Sequence, residues 1–136
     1  MSIFDPESWL DVAELCCEPE PGTARQAHLR TALNRAYYAA LLTTKGRIEQ
    51  AFGGRVLPRA GTHHAILRAV NSGGPTFERI HFVLKRLKWL RERADYELAT
   101  RPLKRRMVRS QLELTRTLIQ RHIKALPDAE YRKLTL

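Results

Sequence analysis

The segment LRERADY, residues 90–96, places three side chains of different chemistry close together. Arg91 precedes Asp95 by four residues, so on a helix the two share a face and can form an ion pair. Tyr96 adds a phenol beside them. Such a set fits an active site, a recognition site for a charged ligand, or a local salt bridge worth about 0.3–0.5 kcal/mol when exposed. The spacing alone leaves these alternatives open.

A run of cations follows directly. The stretch RPLKRRMVR, residues 101–109, contains no acidic residue. Its cations are Arg101, Lys104, Arg105, Arg106 and Arg109. Lys and Arg side chains bind phosphate oxygens, and each such contact releases counterions, so that affinity falls with salt. The run predicts a nucleic-acid contact, with a solvated face that binds nothing as the alternative.

Charge is unevenly distributed along the 136 residues. The formal net charge is +10 at pH 7, yet residues 1–22 contain six acids and no Lys or Arg. Residues 23–136 therefore hold 24 basic residues against eight acidic ones. This excess predicts a polyanionic partner: RNA, DNA or an acidic protein surface. It also suggests that the acidic first helix covers the basic surface and regulates it.

Cysteine content and hydropathy indicate the compartment. Cys16 and Cys17 are neighbours, poorly placed to bond to each other and too few for a disulfide framework. No apolar run approaches the roughly 20 residues that span a bilayer. We expect a cytoplasmic protein that makes no membrane contact. The pair His63–His64 lacks a zinc-ligand spacing, so we expect no metal and no cofactor.

Apolar periodicity predicts an all-α protein, a single domain over 1–136 folded as an up-and-down bundle of four to five helices. The expected elements are an acidic first helix at 6–17, then helices at about 23–52, 62–70, 76–99 and 102–126, and a frayed tail at 127–136. In the second helix the predicted buried stripe comprises Leu33, Tyr37, Ala40, Leu41, Thr44 and Ile48. Thr62 is expected to cap the third helix, and Pro102 to lie in the first turn of the last.

The fourth helix is apolar on two sides. Besides its core stripe, it carries Phe82, Trp89 and Tyr96 at seven-residue spacing. A monomeric bundle needs only one apolar face per helix, so this second line predicts the seam of a homodimer.

Three motifs, in this order, resemble the HEPN family of small helical bundle proteins: ESWLDVAEL in the first helix, NRAYYAA in the second and LRERADY in the fourth. The resemblance covers roughly residues 8–125. It implies a HEPN-like bundle that usually dimerises, and often a metal-independent RNase whose two protomers join their active sites at the dimer interface. Many members are toxins or antiviral effectors, frequently encoded beside a small nucleotidyltransferase.

The resemblance to the family's Arg-x-x-Ala-Asp-Tyr signature implies that Arg91, Asp95 and Tyr96 are the candidate catalytic residues. Catalytic members carry a His four to six residues after an Arg on this helix, and this sequence has none there. Cleavage without a metal needs a base for the 2′-OH proton, which suits a neutral imidazole, and a cation for the phosphorane, which suits Arg. Asp95 or Tyr96 would have to replace the imidazole with a retuned pKa.

The resemblance also marks Asn34 and Arg35, for which we expect structural roles. Asn34 lies one turn from Tyr38 and could bond across to the helix of Asp95, as buried polar groups that fix a bundle's register do.

Together these features predict an RNA-binding or RNA-cleaving homodimer with a basic groove, belonging to a toxin–antitoxin or antiviral defence system. The alternative is a non-catalytic interaction module that docks a nucleotidyltransferase or another effector protein through its basic face.

Overall fold

The computed structural model describes residues 5–18, 24–96 and 102–136, without the side chains of Ala24, Asp95 and Tyr96. All regular secondary structure in these ranges is helical, which confirms the all-α prediction. The main helices are α1 (Ser8–Cys16), α2 (Ala24–Phe52), α3 (Thr62–Asn71), α4 (Glu78–Tyr96), α5 (Arg105–Leu118) and a single-turn α6 (Asp128–Tyr131). A 3-10 turn, Gly74–Phe77, leads into α4, and a π-helical turn, Ile119–Ile123, extends α5.

Helix α2 is the centre of the bundle and packs against α1, α4, α5 and α6. Every residue of its predicted stripe is fully buried. The buried Thr44 is accommodated because its hydroxyl donates to the carbonyl of Ala40 at 2.8 Å. The helix ends where Gly53 adopts a positive φ of 83° and the Gly54 N–H donates to the carbonyl of Glu49 at 2.9 Å.

The starts of α3 and α5 differ from the predictions. Gly61, not Thr62, occupies the N-cap of α3, and the Thr62 hydroxyl donates backwards to the carbonyl of Arg59 at 2.8 Å. Helix α5 begins three residues after Pro102. The side chain of Gln26 explains the delay, because it bonds both the N–H (2.7 Å) and the carbonyl (2.9 Å) of Leu103 and so engages backbone groups just before the helix.

The prediction of a frayed tail at 127–136 is wrong. Tyr131 is fully buried, its ring lies 5.1 Å from that of Phe77, and its hydroxyl donates to the carbonyl of Ile123 at 2.5 Å. Asp128 forms an ion pair with Arg47 at 3.0 Å. One aromatic anchor therefore fixes a segment whose polar composition gave no periodic signal.

Candidate functional site

The basic run lines a groove where the start of α5 meets the start of α2. Its volume is about 750 Å³. We define the basic groove by the cations on its walls, which are Arg25, Lys104, Arg105, Arg106 and Arg109. Arg101, also predicted to bind nucleic acid, lies outside the described residues. Arg25 was not predicted, because only the packing of α2 against α5 brings it to this run.

The cations of the groove have few counter-charges. Lys104, Arg106 and Arg109 are exposed, and across residues 5–18, 24–96 and 102–136 no carboxylate lies within 4.0 Å of their charged atoms. Arg105 is half-buried and donates from Nε to the carbonyl of Cys17 at 2.6 Å. The first turn of α5 adds its partial positive charge to this site. Such a surface attracts anions.

The acidic helix α1 engages the other end of α5. Arg116 contacts Glu7 at 3.2 Å, Asp11 at 3.0 Å and Glu14 at 2.9 Å. Burial lowers the pKa of the Arg116 guanidinium, but the hydrogen bonds that it donates to Glu14 and Asp11, and the negative charges of these carboxylates, outweigh burial and raise the pKa. Lys124 contacts Glu7 at 2.6 Å. These ion pairs lie outside the basic groove, but Glu14 and Glu18 also line a pocket together with Arg109. The suggestion that α1 covers the basic surface stays a prediction.

A second candidate site surrounds Arg91. Its guanidinium lies 4.7 Å from the centre of the Tyr37 ring and 5.6 Å from that of Tyr38, and Nη1 donates to the Tyr38 hydroxyl at 3.3 Å. Burial raises the pKa of Tyr37 to about 12, so this phenol stays protonated. The structure thus joins the NRAYYAA and LRERADY motifs through Arg91. The side chains of Asp95 and Tyr96 lie outside the described residues.

His63, which the sequence analysis considered only as a metal ligand, belongs to this second site. Its ring lies edge-on to those of Tyr37 (5.7 Å) and Tyr38 (5.5 Å). Burial lowers the pKa of the imidazole, and the nearby charges of Arg91 and Lys88 lower it further. His63 is therefore neutral at pH 7. No sequence signal reveals it, because α3 brings it to Arg91 from a distant part of the chain.

The predicted support residues have different surroundings. The Arg35 guanidinium stacks 4.2 Å from the Trp9 ring and so ties α2 to α1. Asn34 Oδ1 is buried and, within the described part of the chain, has no hydrogen-bond partner. Phe82 and Trp89, predicted for the dimer seam, are 63% and 49% exposed. Tyr96, the third predicted seam residue, has no described side chain.

The residues that the structure describes contain neither a group of metal ligands nor a membrane-spanning helix. No three His, Cys, Asp or Glu side chains gather there in a way that would hold a metal ion. Nor does any helix of this part combine the length and the hydropathy needed to cross a bilayer.

Comparison of the chain with family models, with curated proteins and with solved structures finds no match. Membership of the HEPN family therefore stays a prediction.

Proposed function

We propose that the chain binds RNA through the basic groove, within a toxin–antitoxin or antiviral defence system. The observation that carries the proposal is a set of clustered cations without carboxylate partners in the described structure. Ion pairs elsewhere in the protein show that carboxylates are available to neutralise Arg and Lys. Among the described residues that line the groove, Glu113 is the one acid, and it forms no ion pair with the cations there. The choice of RNA over other polyanions rests on the resemblance of the NRAYYAA and LRERADY motifs.

Salt dependence tests the proposal. Four phosphate contacts on a single strand give a slope of about −2.8 in log affinity against log salt, or about a fiftyfold loss between 50 and 200 mM. The measurement is fluorescence anisotropy with a labelled 12-nucleotide oligo(U). Arg106→Ala should make the slope shallower by about 0.7, whereas Arg121→Ala, an exposed Arg outside the groove, should not change it. Equal slopes for both variants would contradict the proposal.

Metal-independent cleavage of the bound RNA is the second candidate function. The observation that favours it is a neutral imidazole, His63, packed on the same tyrosine that Arg91 bonds. In this role His63 takes the 2′-OH proton, O2′ attacks phosphorus, and the bond to O5′ breaks. O5′ takes a proton from water, so the products are a 2′,3′-cyclic phosphate and a 5′-hydroxyl. Arg91 stabilises the charge on the phosphorane. Asp95 and Tyr96 stay predicted as alternative bases.

The cleavage test is incubation of the protein with total RNA and a defined tRNA in EDTA. Wild type should release 2′,3′-cyclic ends, while His63→Gln and Arg91→Ala should lose at least about a hundredfold in rate. Because the pKa of His63 is lowered, the acid limb of the pH–rate profile should lie below 6.5. Cleavage that survives in His63→Gln would return the role of base to Asp95 or Tyr96.

The remaining expectations stay predictions. Light scattering tests the homodimer, and co-purification tests docking to a nucleotidyltransferase partner. A docking module would show neither an RNA salt slope nor cleavage until its partner is added. A cytoplasmic location also stays a prediction.

A further inference from the structure

The outer face of α4 combines exposed aromatic rings with cations. Phe82 and Trp89 are 63% and 49% exposed, and they line a shallow pocket of about 590 Å³ on this face. Lys85 and Arg86 lie between them in sequence and line the same pocket. Neither cation has a carboxylate within 4.0 Å in the described ranges. Its described lining holds one acidic residue, Glu78, against these two cations. The pocket thus offers apolar ring surface beside an excess of positive charge.

A cleft between α3 and α4 continues this face. Its volume is about 420 Å³, and it shares Lys85 and Trp89 with the shallow pocket. Two further cations line it, Arg68 from α3 and Lys88 from α4. Lys88 contacts the exposed Glu92 at 3.2 Å, and among the described residues this carboxylate is the only acidic group that lines the cleft. Trp89 therefore lies where the pocket and the cleft meet, with cations on both sides.

Trp89 is held in place although it is exposed. The Arg93 guanidinium lies 4.4 Å from the centre of its ring. A cation over a Trp ring contributes about 0.5–1 kcal/mol at an exposed site and reduces the freedom of the ring. A ring that is fixed and still half exposed offers surface on which a planar group can stack.

We propose that this face of α4, with the adjoining cleft, binds the unpaired bases of single-stranded RNA. Trp89 and Phe82 stack the bases, while Lys85, Arg86 and Arg68 contact the phosphates. Every base has a π-face, so such a site accepts single strands with little sequence preference. The inference rests on the proposed RNA binding and adds to it a second contact surface. The basic groove binds phosphates through its charge, whereas the α4 face binds unpaired bases by stacking.

Charge favours RNA over a second copy of the chain on this face. A two-fold axis through the shallow pocket would bring Lys85 and Arg86 of one protomer close to the same residues of its partner. Glu78, which lines the same pocket, supplies one negative charge per protomer against these two positive ones. Like charges across an interface oppose association. A polyanion instead gains from both the rings and the cations.

Tryptophan fluorescence tests the inference, because the chain has two tryptophans and Trp9 is half-buried beneath Arg35. Stacking of uracil on Trp89 should quench emission when oligo(U) binds, and inorganic polyphosphate should bind without quenching. Trp89→Phe should remove the quench and change affinity for oligo(U) by less than about threefold. Trp89→Ala should weaken it roughly tenfold. Leu114→Ala is the matched control, since Leu114 is also 49% exposed but lies on α5.

Several outcomes overturn the inference. Binding of oligo(U) without quenching, or an unchanged affinity in Trp89→Ala, would show that no base stacks there. A dimer that Trp89→Ala dissociates, with RNA affinity unchanged, would assign the face to a second copy of the chain.

The groove is tested separately by Arg106→Ala with Arg109→Ala. This variant should weaken binding of oligo(U) and polyphosphate alike while leaving the quench at saturation unchanged. If the variant binds both probes with wild-type affinity and oligo(U) still quenches the emission, the proposed RNA binding at the groove is wrong and the α4 face is supported. If wild type binds neither oligo(U) nor polyphosphate, both proposed binding surfaces are wrong. Circular dichroism of each variant checks that the helical content is intact.

Discussion

The two ends of α5 carry the same kind of cation in opposite surroundings. At its start, Lys104, Arg106 and Arg109 have no carboxylate within ion-pair distance in the described structure. Near its end, Arg116 alone contacts three carboxylates of α1 and the turn before it. One group of cations holds a helix in place, and the other is available to a ligand. A net charge of +10 therefore describes the protein less well than the position of each counter-charge.

The largest expected effect comes from reversing charge at the start of α5. Arg106→Glu with Arg109→Glu should weaken RNA binding about a hundredfold. The two substitutions change the net charge by four units, and each unit contributes about 0.7 kcal/mol at 6 Å in water. The control is Arg121→Glu with Arg132→Glu, which changes the net charge equally at exposed positions outside the groove. Anisotropy at constant salt compares the two. Equal losses would mean that only net charge matters, and the contrast between the two ends would fail.

Removal of the paired cation should affect stability instead. Arg116→Ala should lower the free energy of unfolding by about 1–2 kcal/mol, because three partly exposed ion pairs are lost together. RNA affinity should stay within about twofold of wild type. Urea denaturation measures the first quantity, and Arg116→Lys, which keeps the charge, should recover part of the loss. A large fall in RNA affinity with stability unchanged would place Arg116 among the ligand contacts.

A carboxylate introduced at the start of α5 should pair with a cation there, as the carboxylates of α1 pair with Arg116 near the end of α5. Ser110 is exposed, lines the groove and lies four residues after Arg106. Ser110→Glu should therefore pair with Arg106 and weaken RNA binding about threefold, with little change in stability. Ser110→Gln supplies the same bulk without charge and should bind as wild type does. If both variants weaken binding equally, size and not charge is responsible.

The smallest effect is expected from the acidic helix. Asp11→Asn with Glu14→Gln should lower stability by about 0.5 kcal/mol and change RNA affinity by less than twofold, because these carboxylates form their ion pairs with Arg116 and not with a cation of the groove. Side-chain substitution is preferable to deletion of α1, since Leu10 and Ala13 belong to the core. An affinity rise of tenfold would support the hypothesis that α1 covers the groove.

Local periodicity and charge could be read from the sequence because both are properties of neighbouring residues. The α2 stripe follows from its three- and four-residue spacing, and the cation run 101–109 is continuous in the chain. The aromatic pair Phe82 and Trp89 was recognised as a second line on α4 for the same reason. The homodimer seam expected at that line stays a prediction, since spacing does not reveal what covers a surface.

Contacts between distant segments could not be predicted. The packing of α3 places His63 near Arg91. The packing of α2 places Arg25 in the same groove as Arg106. The bonds of Gln26 to Leu103 join residues 77 positions apart and move the start of α5. Tyr131 was missed because a single side chain carries no periodicity. Each omission concerns an interaction whose partners lie far apart in the sequence.

The burial of Tyr131 has a consequence for synthesis on the ribosome. Part of the core that α2 and Phe77 require is supplied about 80 residues after α2 ends. At a translation rate of about 5–20 residues per second, Tyr131 is synthesised about 4–16 seconds after the end of α2. Nascent chains arrested before residue 128 should therefore expose α2 to protease and to chaperones, and chains that continue past residue 134 and clear the exit tunnel should not.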